Sequence, residues 1–314
     1  MSGPSREAIR AEALRIGFAA CGFATLEPSR RADALDRWLA AGHAGLMRYL
    51  HRQKKKRKAP ATITPGARSA VVLLENYTAP RAERPQPGDA YKIASYARGM
   101  DYHLATHGRL HRLSEWMKAE GADLAHTWVD DGPVPERELA ERAGLGWIGK
   151  NTMLIHPRIG SWTFIGTIFT SLDLGPDLPT VRDHCGTCTR CLDACPTDAF
   201  VGERVLSATR CLSYLTIECR EDPPAELAGA FHGWAFGCDV CNDVCPWNTR
   251  FAATTSVAEF ARRPAPDRSD PGYFERMDEA TFRDTFADTP LSRPGLARMR
   301  RNVQHATARP TEES

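Results

Sequence analysis

The chain has 314 residues, 42% of them hydrophobic and 25% charged, with a formal net charge of +2. That length can bury a full core and suggests two domains, and the near-neutral balance excludes nucleic-acid binding over the whole surface, so any basic footprint must be local. No apolar run approaches the roughly 18 residues that span a bilayer. The N-terminus shows neither a secretory pattern nor a twin-arginine pair, so a cytoplasmic protein without a membrane partner is expected.

In chain order, a helix is predicted from Ser5 to about Ile16, a strand from Gly22 to Leu26, and a helix from Ala34 to Ala41 that ends at Gly42. The run from His51 to Lys58 is the strongest basic stretch. It reads either as a solvated loop or as a contact for phosphates of nucleic acid or of a cofactor, and the run alone leaves both open. Ser69 to Glu75 is a continuous apolar run of strand length, the mark of a strand buried on both faces. A proline-rich loop from Pro80 to Pro87 follows, then an amphipathic helix from Tyr102 to Glu120 with Leu110, Leu113 and Met117 on one side.

A strand from Ala125 to Val129 places Asp130 at its C-terminal end, where ligands of open α/β sheets collect. The alternative is that Asp130 caps a helix running from Pro135 to Ala143. Short strands at Met153–Ile155 and Thr163–Ser171 flank a Gly160-Ser161 turn. Alternating strands and helices to about residue 175 predict an α/β domain, with a linker at Pro176–Pro179. Phe251 to Ser314 is polar and Arg-rich, with few periodic signals.

Nine of the ten cysteines fall from Cys185 to Cys245, and eight of these, all but Cys219, stand at metal-ligand spacings. In a cytosolic chain this spacing points to metal binding, leaving Cys21 and Cys219 as small buried hydrophobes. Cys185-x-x-Cys188-x-x-Cys191-x-x-x-Cys195-Pro196 matches the iron–sulfur run of bacterial ferredoxins, whose fourth cysteine serves a different cluster from the first three. Cys238-x-x-Cys241-x-x-x-Cys245-Pro246 supplies a second run, with Cys211 standing in for its missing leader. The crossing rule then assigns Cys185, Cys188, Cys191 and Cys245 to one 4Fe–4S cluster, and Cys195, Cys211, Cys238 and Cys241 to the other. Paired Cys-x-x-Cys also suits tetrahedral zinc, but the triple run is more specific. Two adjacent clusters form an electron relay whose acceptor must be held by the N-terminal domain.

Further stretches carry a resemblance: Arg98-Gly-Met-Asp-Tyr-His103, Val129-Asp-Asp-Gly-Pro-Val-Pro-Glu-Arg137, Ala143-Gly-Leu-Gly-Trp-Ile-Gly-Lys-Asn151, Gly160-Ser-Trp162, Arg210-Cys-Leu-Ser-Tyr-Leu-Thr216, and Cys245-Pro-Trp-Asn248. With the cysteine runs, and in this order, they make the chain resemble the epoxyqueuosine reductases, cobalamin-dependent enzymes of tRNA modification. The resemblance implies reduction of epoxyqueuosine to queuosine at the wobble position of tRNA, with the epoxide oxygen lost as water. Two 4Fe–4S clusters would feed single electrons to cobalamin, drawing on a soluble low-potential donor, in a monomeric enzyme.

By the same resemblance Asp130 is the proton donor, and burial beside the corrin is expected to raise its pKa. Cobalamin contacts are implied at Arg57, Ala94, Asp130, Leu154, Ile165, Ile168, Ser213, Cys238 and Asp239, while Lys54 to Lys56 remain candidates for tRNA. Asp131 departs from the small or neutral residue usual in relatives. The expected fold class is an α/β (α+β) cobalamin-binding domain (residues 1–175) followed by a bacterial-ferredoxin-like two-cluster domain (residues 176–250). Residues 251–314 form an Arg-rich extension whose arginines could meet tRNA phosphates, without a full HEAT-repeat region. The competing readings are a reductive dehalogenase-like enzyme with the same cofactors, and an electron-transfer ferredoxin with no corrin.

Overall fold

The structure, a computed structural model, describes residues 3–177, 181–261 and 266–308. Helix α1 (Arg6–Ile16) begins at Ser5, whose hydroxyl accepts from the Ala8 N–H, and stops at Gly17 in the left-handed region. Strand β1 (Ala20–Thr25) and helix α2 (Ala32–Ala40) follow near their predicted places. The basic run is not a loop: it forms most of helix α3 (Arg48–Lys58). Lys, Arg and Gln are good helix formers, and the helix ends just before Pro60.

Strand β2 (Ser69–Asn76) is buried from Ser69 through Glu75, as its apolar run requires. After β3 (Lys92–Ile93) come the long α4 (Tyr102–Ala119), β4 (Ala125–Trp128), α5 (Glu136–Arg142), the short pair β5 (Trp147–Ile148) and β6 (Leu154–Ile155), and β7 (Thr163–Thr170). The four long strands form one sheet in the order β1-β2-β7-β4. All three pairings are antiparallel, with Phe23 opposite Val71, Val71 opposite Ile168, and Thr127 opposite Ile168. The domain is therefore of the α+β kind, and the strand-end rule of parallel sheets is not what positions Asp130. One face of the sheet packs on α1 and α4 through Ile9, Phe18, Leu110, Leu113 and Met117. The other packs on α5 through Leu139, Ala140 and Ala143.

Asp177 of the expected linker is fastened to the sheet domain, accepting from Arg6, Arg10 and the Phe23 N–H. The remainder of that linker, Leu178 and Pro179, lies outside the described residues. The cysteine region holds α6 (Arg190–Asp193), the hairpin β8 (Phe200–Gly202) and β9 (Val205–Leu206), α7 (Leu212–Ile217), β10 (Trp234–Phe236), α8 (Val240–Asp243) and α9 (Pro246–Phe251). Strand β10 pairs in parallel with β3. The C-terminal stretch, read from sequence as weakly periodic, contains α10 (Glu279–Phe286) and α11 (Leu296–Thr307). Their Phe282, Phe286, Leu296, Met299 and Val303 share a core with Tyr91 and Phe236. The apolar stripe of α11 is hidden in the sequence by arginines that bond to backbone: Arg298 to Ile217 O (2.8 Å), Arg300 to Met277 O (2.6 Å) and Arg301 to Glu221 O (2.6 Å). These side chains hold the tail down and are not free arms for phosphate.

Candidate active site

The cysteine loops are held against the sheet domain by a buried asparagine. Asn248 accepts from the Ser161 N–H (2.7 Å) and donates to Ser161 Oγ and to Asn242 O, both at 2.8 Å. Gly160 (φ +72°) makes this approach possible, since a Cβ there would sit 2.1 Å from Asn248 Oδ1. Burial raises the thiols of Cys191, Cys211, Cys238, Cys241 and Cys245, and each also feels the charge of neighbouring thiols. Cys191 is pushed up to about 11 by burial, then by the thiols of Cys245, Cys185 and Cys188. Cys238 and Cys241 are pushed up by burial and by Cys211, with Cys195 acting on Cys238 and Cys191 on Cys241. Among the described residues no three His, Cys, Asp or Glu side chains converge on a single metal ion. The spacing of the first run, three thiols with two residues between neighbours and a fourth before proline, suits iron–sulfur clusters better than tetrahedral zinc. The two leftover thiols are buried, and burial pushes Cys21 up to about 12.

A cavity of about 620 Å³ opens between the sheet domain and the cysteine region. One wall is a single stripe of α3, Tyr49, Gln53 and Arg57, at the i, i+4, i+8 spacing of a helix face. Cys211, Ser213 and Tyr214 at the start of α7 also line the cavity, as do Tyr102, His103 and Asp130. A cluster-spaced thiol and the candidate acid thus face the same space.

Asp130 follows β4 in the left-handed region, with φ of 51°, which aspartate tolerates better than most residues. Its N–H donates to Glu136 Oε1 (2.7 Å), and its Oδ2 accepts from the Tyr102 hydroxyl (2.5 Å). The Tyr102 ring is fixed in turn by stacking on Phe164, with centroids 4.4 Å apart and planes 11° from parallel. Asp131 also lines the cavity, but both its carboxyl oxygens are engaged: Oδ1 accepts from the Val129 N–H (3.0 Å), and Oδ2 lies 2.8 Å from His107 Nε2. The second carboxylate is a brace for the loop. Gly132 packs so tightly that a Cβ would lie 2.3 Å from the Trp128 ring.

Arg57 grips this loop from the α3 side, donating to Gly132 O (3.1 Å) and Val134 O (3.3 Å). Its Nε is buried with no hydrogen-bond partner among the described residues, a donor left for whatever fills the cavity. Asp130 itself is exposed, so the protein alone does not bury it. Burial acts on Glu136 instead: desolvation, then the charge of Asp130, push its carboxyl up to about 8. Burial would lower His103, but the hydrogen bond and charge of Asp101 outweigh it and hold the imidazole above its usual value.

Of the other implied cofactor positions, Ser213 lies on the cavity wall. Ala94 and Asp239 form a buried layer behind it, Asp239 accepting from the Ser95 N–H at 2.7 Å, with Cys238 packed beside Ala94. Leu154, Ile165 and Ile168 belong to strands, with Leu154 and Ile168 buried in the two sheet cores. Sequence reading did not single out Tyr102, Glu136, Tyr49, Gln53 or Arg293. The 3.6-residue period from Tyr49 to Arg57 was the available signal for the α3 stripe.

Comparison with known proteins bears on this geometry. Residues 184–248 match a family described as a 4Fe-4S double cluster binding domain, and residues 57–131 match one described as epoxyqueuosine reductase QueG, DUF1730. The chain is 39% identical over 302 residues to the epoxyqueuosine reductase of Cellulophaga algicola, covering 94% of this chain and 95% of that one. It resembles the crystal structure of an epoxyqueuosine reductase with an epoxyqueuosine-modified tRNA-Tyr stem loop, with a TM-score of 0.88 at 29% identity, over 96% of this chain and 80% of that one. It also resembles the Bacillus subtilis enzyme, described with its catalytic aspartate loop swung out of the active site, with a TM-score of 0.86 at 28% identity, again over 96% and 80%. The chain belongs to the epoxyqueuosine reductase family.

Proposed function

We propose that the chain reduces epoxyqueuosine in tRNA to queuosine, a change that takes up two electrons and two protons and releases the epoxide oxygen as water. The observation that carries this reading is the pairing of Asp130 and Cys211 on the walls of one cavity. A proton source and an outlet for electrons then meet at the same bound nucleotide. On this reading Cys185, Cys188, Cys191 and Cys245 hold one 4Fe–4S cluster, and Cys195, Cys211, Cys238 and Cys241 the other. These clusters supply single electrons, received from a soluble low-potential donor. Cobalamin, when bound, supplies a reduced cobalt centre for the carbon–oxygen chemistry. Ser213 and the orphaned Arg57 Nε are the cavity-wall groups suited to hold its polar side chains.

The protein's own contribution is proton delivery and position. Asp130 gives a proton to the departing oxygen, while Tyr102 fixes its carboxyl oxygen and Glu136 its backbone. Arg57 ties the same loop from α3. Filling the cavity would bury the exposed Asp130, which favours its protonated form. We place the enzyme in the cytoplasm, acting as a monomer on tRNA.

The test is to purify the chain without oxygen, measure its iron and cobalt, and assay it on an epoxyqueuosine-containing anticodon stem loop. Turnover in the wild type, with a loss of roughly 100-fold or more in Asp130→Asn, is expected. Iron with no cobalt binding and no conversion would leave only an electron carrier.

A further inference from the structure

A second cavity, of about 510 Å³, adjoins the first and shares Met47, Tyr49 and Glu218 with it. Its remaining charged lining is all cationic: Arg48 and Arg52 from α3, and Arg220 beyond the end of α7. All three are exposed, and none makes an ion pair or side-chain hydrogen bond among the described residues. The single carboxylate there, Glu218, is already bonded to Arg293 at 2.7 Å. The concavity therefore presents three unspent guanidinium groups beside the mouth of the reaction cavity.

Helix α3 sorts the basic run by face. Tyr49, Gln53 and Arg57 face the reaction cavity, and Arg57 is spent on the loop after Asp130. Lys54 and Lys58 turn toward α2, where Asp36 takes both, at 3.9 and 2.5 Å. Arg48 and Arg52, one turn apart, form the row that reaches the second cavity. Of the lysines that sequence alone offered as phosphate contacts, Lys54 to Lys56, the first is paired with Asp36 and none lines either cavity.

We propose that Arg48, Arg52 and Arg220 form a phosphodiester subsite that holds the RNA backbone next to the nucleotide in the reaction cavity. The proposal rests on the reading that an RNA nucleotide is the substrate. A nucleotide drawn into the larger cavity leaves its flanking phosphates at the rim, and guanidinium groups bind phosphate with paired hydrogen bonds that fix its register. The nucleotide tail of a corrin carries the same phosphodiester chemistry. Exposure of all three arginines at the open side favours the polymer over the enclosed cofactor.

The test uses the full chain, loaded with both clusters and cobalamin, and a fluorescent epoxyqueuosine-containing anticodon stem loop. Affinity is measured against salt for the wild type, for Arg48→Ala/Arg52→Ala/Arg220→Ala, for the matching triple Arg→Lys variant, and for Lys54→Ala/Lys58→Ala. The triple alanine variant should weaken binding at least tenfold and reduce the salt slope by about 2, because each phosphate contact on a single strand contributes about 0.7. The lysine triple should keep most of the slope, the Lys54/Lys58 pair should match the wild type, and cobalamin absorbance should be unchanged in all. An unchanged slope in the triple alanine variant of an active wild type overturns the subsite alone. Loss of cobalamin without loss of RNA affinity reassigns the arginines to the cofactor and overturns it equally. A wild type that neither binds nor converts the RNA overturns the parent reading, and this one with it.

Discussion

Tyr102 donates a 2.5 Å hydrogen bond to Oδ2 of Asp130, joining the first residue of α4 to the acid at the end of β4. The bond aims one carboxyl oxygen and leaves the other to the cavity. Tyr102→Phe keeps the ring stacked on Phe164 and removes only the hydroxyl. It should lower kcat roughly 10- to 100-fold, the worth of one hydrogen bond to a charged group, with little change in KM. Single-turnover assays on the modified stem loop would check it, and a kcat equal to wild type would show that the hydroxyl does not position the acid.

Glu136 offers a stability test independent of activity. Its carboxyl is raised from 4.5 to about 8, so the folded chain retains a proton that the unfolded chain releases. A raised acid contributes its full stability below the unfolded value, and that contribution is lost as pH rises through 4.5 toward 8. Urea midpoints should therefore fall across this window in the wild type, and Glu136→Gln should flatten the fall. Parallel slopes in the two proteins would count against the shift.

Gly132→Ala should damage catalysis without unseating the clusters. The added methyl would overlap the Trp128 ring, and the loop carrying Asp130 would have to move. Overpacking of this kind costs about 1–3 kcal/mol. Turnover should drop at least tenfold, with iron content and visible absorbance unchanged.

Asn248→Ala removes the tie between the cysteine loops and the Gly160-Ser161 turn, leaving the buried Ser161 N–H unpaired. The cost should be about 1–3 kcal/mol for that donor. Cluster absorbance should then bleach at lower denaturant than in the wild type. Equal bleaching midpoints would mean that the clusters are held by their own loops alone.

Cys245→Ser tests the crossed ligand sets. Iron should fall from about eight to about four per chain, with the loss in the cluster served by Cys185, Cys188 and Cys191. Cys195→Ser should spare that cluster and empty the other, and electron paramagnetic resonance of the two variants should be complementary. Identical spectra would contradict the crossing.

Local pattern made much of this architecture readable. The apolar run of β2, the long α4, the paired cysteine spacings and the strand end at Asp130 each rest on neighbours close in sequence. What escaped depends on partners far apart. The antiparallel order of the sheet follows from β7 seating itself between β2 and β4, which no single strand announces. The helical state of the basic run was masked by its charge, since six of its eight residues between His51 and Lys58 are Lys or Arg and no apolar stripe marks the period. Asp131 stood out in sequence only as a departure from relatives, and its bonds to the Val129 N–H and His107, which place it in the loop's frame, involve a partner 24 residues away. The arginines of α11 looked available because the carbonyls they serve lie far back along the chain or in neighbouring turns.

The proposed crossing of the two thiol sets would also set a schedule. When the ribosome has finished residue 237, the chain carries Cys185, Cys188, Cys191, Cys195 and Cys211, yet neither group has all its members. The eight residues from Cys238 to Cys245 complete both. On that assignment iron loading would be a late and nearly simultaneous event in the life of a nascent chain, and a product cut short before Cys238 would have no intact nest for either cluster.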